Sequence, residues 1–151
     1  MNKIIKGITY RKAEKADLPK ILELYKELQP QDPPINPKAA ASVWGKSENS
    51  GITYFVAEKE GEIAASLYIA IIPNITRQCS PIGFIENVIT AARFRRMGIG
   101  GELLKTAVEY AKSRGCYKVM LQSGNKRTEA HSFYESVGFD GSSKRAFELR
   151  F

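Results

Sequence analysis

Residues 52–72, ITYFVAEKEGEIAASLYIAII, constrain the fold more than any other stretch of the chain. Both halves are rich in β-branched and aromatic residues, and Glu60–Gly61 between them offers a tight turn. Ile63, Ala65, Leu67, Ile69 and Ile71 alternate along the second half, which puts them on one face of a strand. An antiparallel hairpin with such a face needs an apolar layer against it. A chain of 151 residues with 43% hydrophobic residues can supply that layer within one domain, residues 1–151.

The layer is legible on both sides of the hairpin. Residues 8–13, ITYRKA, read as a short opening strand, and Asp17 then serves as the N-cap of a helix with Pro19 in its first turn. Leu18, Ile21, Leu22, Tyr25 and Leu28 follow at helical spacing. Four prolines make residues 29–37, QPQDPPINP, an exposed loop, after which KAAASVWGK forms a second short helix. Beyond the hairpin, IGFIENVIT (82–90) is a strand whose Glu86 and Asn87 interrupt an apolar run. Leu103, Leu104, Ala107, Val108 and Ala111 form one helical stripe capped at Gly115, and YKVMLQS is another strand. Ala130, Phe133, Tyr134 and Val137 mark a helix closed by Gly138, and AFELRF reads as a last strand. The order predicts a mixed α/β layer structure.

A net charge of +7 favours an anionic partner. No exposed basic helix or aromatic platform suggests nucleic acid, and no run of about 18 apolar residues suggests a membrane span. The N-terminal MNKIIKGITY lacks the apolar region of a secretory signal, so a cytoplasmic protein is expected. Cys79 and Cys116 lie far apart and His131 is the only histidine, which is no basis for a metal site or a disulfide framework.

The densest cationic group lies in RFRRMGIGGELL (93–104). A Walker A loop starting at Gly98 needs glycine at position 103, where Leu103 stands, and a dinucleotide fingerprint fails at the same residue. What remains is Arg95-x-x-Gly98-x-Gly100 between a strand and a helix. Glycines there let backbone N–H groups converge on an anion, with help from the helix start. A glycine-rich turn with solvated arginines is the competing reading of that motif alone.

Taken with its flanks, IENVITAARFRRMGIGGELL, GCYKVMLQSG and AHSFYESVGF, the chain resembles the GNAT superfamily of acetyl-CoA-dependent N-acetyltransferases. Arg95-x-x-Gly98-x-Gly100 is similar to that family's [QR]xxGx[GA] pyrophosphate loop, and Ala130-x-x-Phe133-Tyr134-x-x-x-Gly138-Phe139 to its C-terminal helix signature. Arg127 stands where an asparagine is often found, seven residues before the tyrosine. Within the family, GFIENVIT and GCYKVMLQSG are most similar to the glucosamine-6-phosphate N-acetyltransferase branch. Glu86 and Asn87 stand in place of that branch's acidic pair, and Gln122 in place of a further acidic position.

The resemblance implies a central mixed, mostly antiparallel sheet of about six to seven strands flanked by about four helices. It implies acetyl-CoA as acyl donor, no metal, and a primary amine of a small molecule as acceptor. Backbone groups of Val88, Ile89 and Thr90 would hold the pantetheine arm, Met97, Gly98, Ile99, Gly100 and Gly101 the pyrophosphate, and Arg95 or Arg96 would add charge. Glu86 is the candidate base, with a substrate-cation or lysine partner as its alternative role, and Tyr134 would hydrogen-bond the CoA sulfur. Peptide or protein N-acetylation is the alternative enzyme reading, and a non-catalytic acyl-CoA sensor the alternative of another class. A homodimer, through a late strand such as AFELRF, is an expectation by analogy.

Overall fold

The computed structural model describes residues 5–151. Five strands form one sheet in the order β1 (Ile8–Lys12), β2 (Ile52–Lys59), β3 (Glu62–Ile72), β4 (Ile82–Thr90), β5 (Lys118–Leu121). The first four pair antiparallel, and β4 and β5 run parallel. Four longer helices, α1 (Leu18–Leu28), α2 (Pro37–Ser47), α3 (Ile99–Ser113) and α4 (Thr128–Val137), complete the fold. The 60–61 turn forms as the sequence implies, with φ of 51° at Glu60 and 82° at Gly61, and it pairs Lys59 with Glu62.

Helices cover both faces of the sheet, and adjacent residues of β2 show which face is which. Tyr54 stacks on Trp44 of α2 with ring centroids 4.6 Å apart, while Phe55 meets Tyr110 of α3 edge-on at 5.3 Å. The core runs through β3, where residues 63–67 and Ile69 are buried, and continues into Ile99, Leu103, Leu104, Ala107 and Ala111 of α3.

Two expectations change. Five strands form among the described residues instead of six to seven, because AFELRF makes none; YKVMLQS forms its strand but shortens to Lys118–Leu121. Alternation gives a segment sidedness, but a strand also requires a paired neighbour. The Asp140 carboxylate accepts the Ser142 N–H at 2.8 Å and its hydroxyl at 2.6 Å, and the chain beyond this turn pairs with nothing among the described residues.

Asp17 occupies the N-cap position of α1 without capping it by its side chain. Its carboxylate instead accepts both terminal nitrogens of Arg11, at 2.7 and 2.9 Å, and the Glu14 N–H at 2.8 Å. The Arg11 guanidinium holds the Asp17 carboxyl below its ordinary value. That contribution is present above the unfolded-state value of 3.8 and is lost as pH falls through the lower folded-state value. Asp17→Asn is therefore expected to cost about 1–3 kcal/mol at neutral pH in urea unfolding, with the gap to wild type closing in acid.

Candidate active site

The site begins with a count. Tyr68 of β3 lies opposite Glu86 of β4, but Ser66 lies opposite Ile89, so Leu67 faces two residues, Asn87 and Val88. The extra residue is a β-bulge, and Asn87 absorbs it with φ of 54°, a conformation asparagine adopts more readily than most side chains. The bulge inverts the alternation. Before it, Glu86 shares the α1–α2 face with Tyr68 and Tyr54; after it, Ile89 takes that face and Thr90 turns toward α3.

At the same point β4 and β5 part. Their pairing runs from Ile82–Lys118 to Ile85–Leu121 and stops, although β4 continues to Thr90. The Ala91 N–H donates to Ala64 O toward β3 at 2.9 Å, and alternation then turns the backbone groups of Thr90 and Val88 to the opposite, open edge. Ile89 pairs inward with Ser66. The fork between β4 and β5 thus presents unpaired sheet edge beside Glu86.

Side chains converge on the fork from both layers. On the α1–α2 side an aromatic row runs Trp44, Tyr54, Tyr68, with the two tyrosine rings 5.4 Å apart. The Tyr25 hydroxyl is buried there, facing the Asn87 side chain without reaching hydrogen-bond geometry, and burial raises its pKa. From the other side comes Tyr134 of α4, 8% exposed, with its ring between Phe133 and Phe139. Burial pushes the Tyr134 phenol above its ordinary value; Arg127 opposes the shift and Glu86 adds to it. The phenol consequently stays protonated through neutral pH.

The glycine loop enters α3 through Gly98, whose φ of 83° suits glycine. Glu102 N–H bonds to Gly98 O at 3.2 Å, which leaves the amides of Ile99, Gly100 and Gly101 ahead of it without helical partners. Ile99 and Gly100 are buried, whereas Met97 is 42% exposed. A cleft of about 280 Å³ opens beside the loop, lined by Gly98, Gly101, Phe133 and Val137 among others. The arginines divide: Arg93 pairs with Glu62 at 2.8 Å, Arg95 with Glu27 at 3.6 Å, and Arg96 has no ion pair among the described residues.

The sequence pointed to Glu86, Tyr134 and the loop, and the structure gathers them around one fork. It placed Trp44 and Tyr25 beside the proline loop as a wall of the cleft, missed Tyr54 and Tyr68 on the face of Glu86, and gave no sign of Glu27. His131 lies on α4 with Nε2 2.9 Å from Gly124 O.

Known proteins share the sequence family and the fold. The profile of the Acetyltransferase (GNAT) family matches residues 18–139. A glucosamine 6-phosphate N-acetyltransferase of Trypanosoma brucei brucei is 33% identical over 137 residues, covering 89% of this chain and 90% of the relative. A putative acetyltransferase from Agrobacterium tumefaciens str. C58 superimposes with a TM-score of 0.90 at 40% identity, covering 95% of this chain and 99% of that one. The crystal structure of glucosamine-6-phosphate N-acetyltransferase from Arabidopsis thaliana gives a TM-score of 0.82 at 27% identity, with 94% and 97% covered. By family match, fold and relatives, this chain belongs to the GNAT family of acetyl-CoA-dependent N-acetyltransferases.

Proposed function

We propose that this chain, as a single domain over residues 1–151, transfers the acetyl group of acetyl-CoA directly to the primary amine of a small molecule. The acceptor class tested first is an amino-sugar phosphate of the glucosamine 6-phosphate kind. The observation that carries the reading is the fork itself, with an acidic side chain, Glu86, on one face and a protonated phenol, Tyr134, entering from the other. The 33% identity to the trypanosomal glucosamine 6-phosphate enzyme supports the acceptor class, and the row Trp44, Tyr54, Tyr68 offers flat apolar surface suited to a sugar ring.

In this reading Glu86 takes a proton from the acceptor ammonium, directly or through water. The amine lone pair forms the N–C bond and the C–S bond breaks. The open-edge backbone at Val88, with the N–H of Thr90 whose carbonyl already accepts from Arg95, binds the pantetheine arm as a further strand would, and the N–H at Val88 meets the developing oxyanion. The amides of Ile99, Gly100 and Gly101, with Met97 and Gly98 shaping the turn, take the pyrophosphate. Tyr134 donates a hydrogen bond to the departing thiolate. A phenol, with a pKa of about 10 against about 8.5 for a thiol, does so without giving up its proton.

Thiol release with a panel of amino-sugar phosphates, aminoglycosides, polyamines and peptides tests the function. Fastest turnover on an amino-sugar phosphate is expected. Turnover on peptides alone would replace the acceptor class with a protein amine, and CoA binding without turnover on any amine would leave a sensor.

Homodimerisation is proposed through the C-terminal segment. Phe147, Leu149 and Phe151 alternate and are 88%, 80% and 115% exposed, a row of large apolar side chains that pairing with a second copy would bury. Light scattering is expected to give a dimer for the intact chain and a monomer for one ending at Gly141; a monomeric intact chain would remove the proposal.

A further inference from the structure

The last turn of α1 reaches across to the far end of β4 through one carboxylate oxygen. Glu27 Oε2 accepts the Ala92 N–H at 2.8 Å, the first amide of the one-turn helix Ala92–Phe94 that leads into the glycine loop. The same oxygen lies 3.6 Å from the Arg95 guanidinium, whose Nε donates to Thr90 O at 3.0 Å. Four points of the chain, on α1, at the end of β4, at the start of the turn and at its exit, are thereby tied together by two side chains.

This tie has a chemical consequence for the loop. Thr90 O lies on the open edge of β4, and Arg95 already occupies it. With Arg95 engaged by Thr90 and Glu27, Arg93 by Glu62 and Lys105 by Glu102, the loop arginine left without an ion pair among the described residues is Arg96. Arg96 sits at φ 61°, a left-handed conformation unfavourable for a non-glycine residue, directly after the arginine that Thr90 and Glu27 engage.

We infer that Glu27 is a positioning residue for the donor loop: it fixes the Ala92 amide and turns Arg95 into a brace, so that Arg96 is the arginine that meets the pyrophosphate. The inference rests on the donor reading above and deepens it. Nothing in it requires Glu27 to touch either substrate. Its loss should act on donor affinity more than on the chemical step.

Calorimetric titration with CoA, and steady-state kinetics in acetyl-CoA, separate these roles. Glu27→Ala is expected to weaken CoA binding roughly fivefold to tenfold and to raise KM for acetyl-CoA by more than it lowers kcat. Glu27→Gln keeps an oxygen for the Ala92 N–H and should recover most of that loss. The double variant Glu27→Ala, Arg95→Ala should be no weaker than the product of partial effects predicts for two members of one unit, hence less than multiplicative. Arg96→Ala should lose roughly tenfold and flatten the salt dependence of binding, which Arg95→Ala should not do. Wild-type affinity in Glu27→Ala, or a flattened salt dependence in Arg95→Ala with none in Arg96→Ala, would overturn the assignment while leaving the donor site standing. Failure of the wild type to bind CoA would remove the donor reading and this inference together.

Discussion

Gly100→Glu is expected to abolish binding of CoA, lowering affinity by at least roughly a hundredfold, the scale on which a buried clash and a misplaced charge act together. Gly100 is buried at the first turn of α3, and a Cβ built on it would lie 2.7 Å from Thr90 Oγ1 and 3.5 Å from Phe133 Cζ. Any side chain there must displace Thr90, the last residue of the open edge, or the ring that neighbours Tyr134. A carboxylate adds a negative charge where unpartnered amides await an anion. Gly101 provides the control for folding: its added Cβ meets Phe133 and Val137 at 3.8 and 3.9 Å, ordinary contact. Gly101→Ala should therefore fold with a thermal midpoint at or above wild type, as alanine favours a helix interior. A Gly100→Glu protein that folds and binds CoA with unchanged affinity would refute the loop assignment.

The second large effect falls on the chemical step. Glu86→Gln preserves shape and removes the only acidic side chain of β4, so kcat is expected to fall about 10²–10⁴-fold, the usual contribution of a positioned base, with CoA affinity little changed. The pH profile carries the mechanism. If Glu86 accepts the ammonium proton, the residual rate of the glutamine variant should climb with pH across the neutral range, as the free amine becomes available without help. A residual rate that stays flat with pH, together with a raised KM for the amine alone, would assign Glu86 to cation binding instead. Two substitutions thus address the two halves of the fork, one through donor affinity and one through turnover.

Much of this architecture is written locally. The 60–61 turn, the stripe on α3 and the helix of the α4 signature closed by Gly138 each follow from residues close in sequence, and each forms as expected. What escaped depends on counting across strands. The turn at 60–61 pairs Lys59 with Glu62, which would set Tyr54 opposite Leu67; an irregularity between Ala57 and Glu58 shifts the register by one and brings Tyr54 opposite Tyr68. The bulge at Asn87 is equally silent in sequence, since a single polar residue in a strand reads the same whether its φ is negative or 54°. The tie from Glu27 to Ala92 spans 65 positions and uses a backbone amide, which no side-chain pattern announces. The final segment failed for the opposite reason: its alternation is clear, but no strand among the described residues pairs with it.

The inverted alternation in β4 also bears on how the protein can change. Because the strand alters sides at Asn87, residues before the bulge and residues after it answer to different layers: Glu86 to the aromatic row, Thr90 to the glycine helix. Substitutions at Trp44, Tyr54 or Tyr68 can therefore drift without disturbing Gly100 or Phe133, and under the proposed function acceptor preference and donor use would evolve on separate clocks. Deleting Asn87 would remove the bulge without reversing these sides, since Val88 would then face Leu67 alone while Ile89 stays opposite Ser66 and Thr90 opposite Ala65.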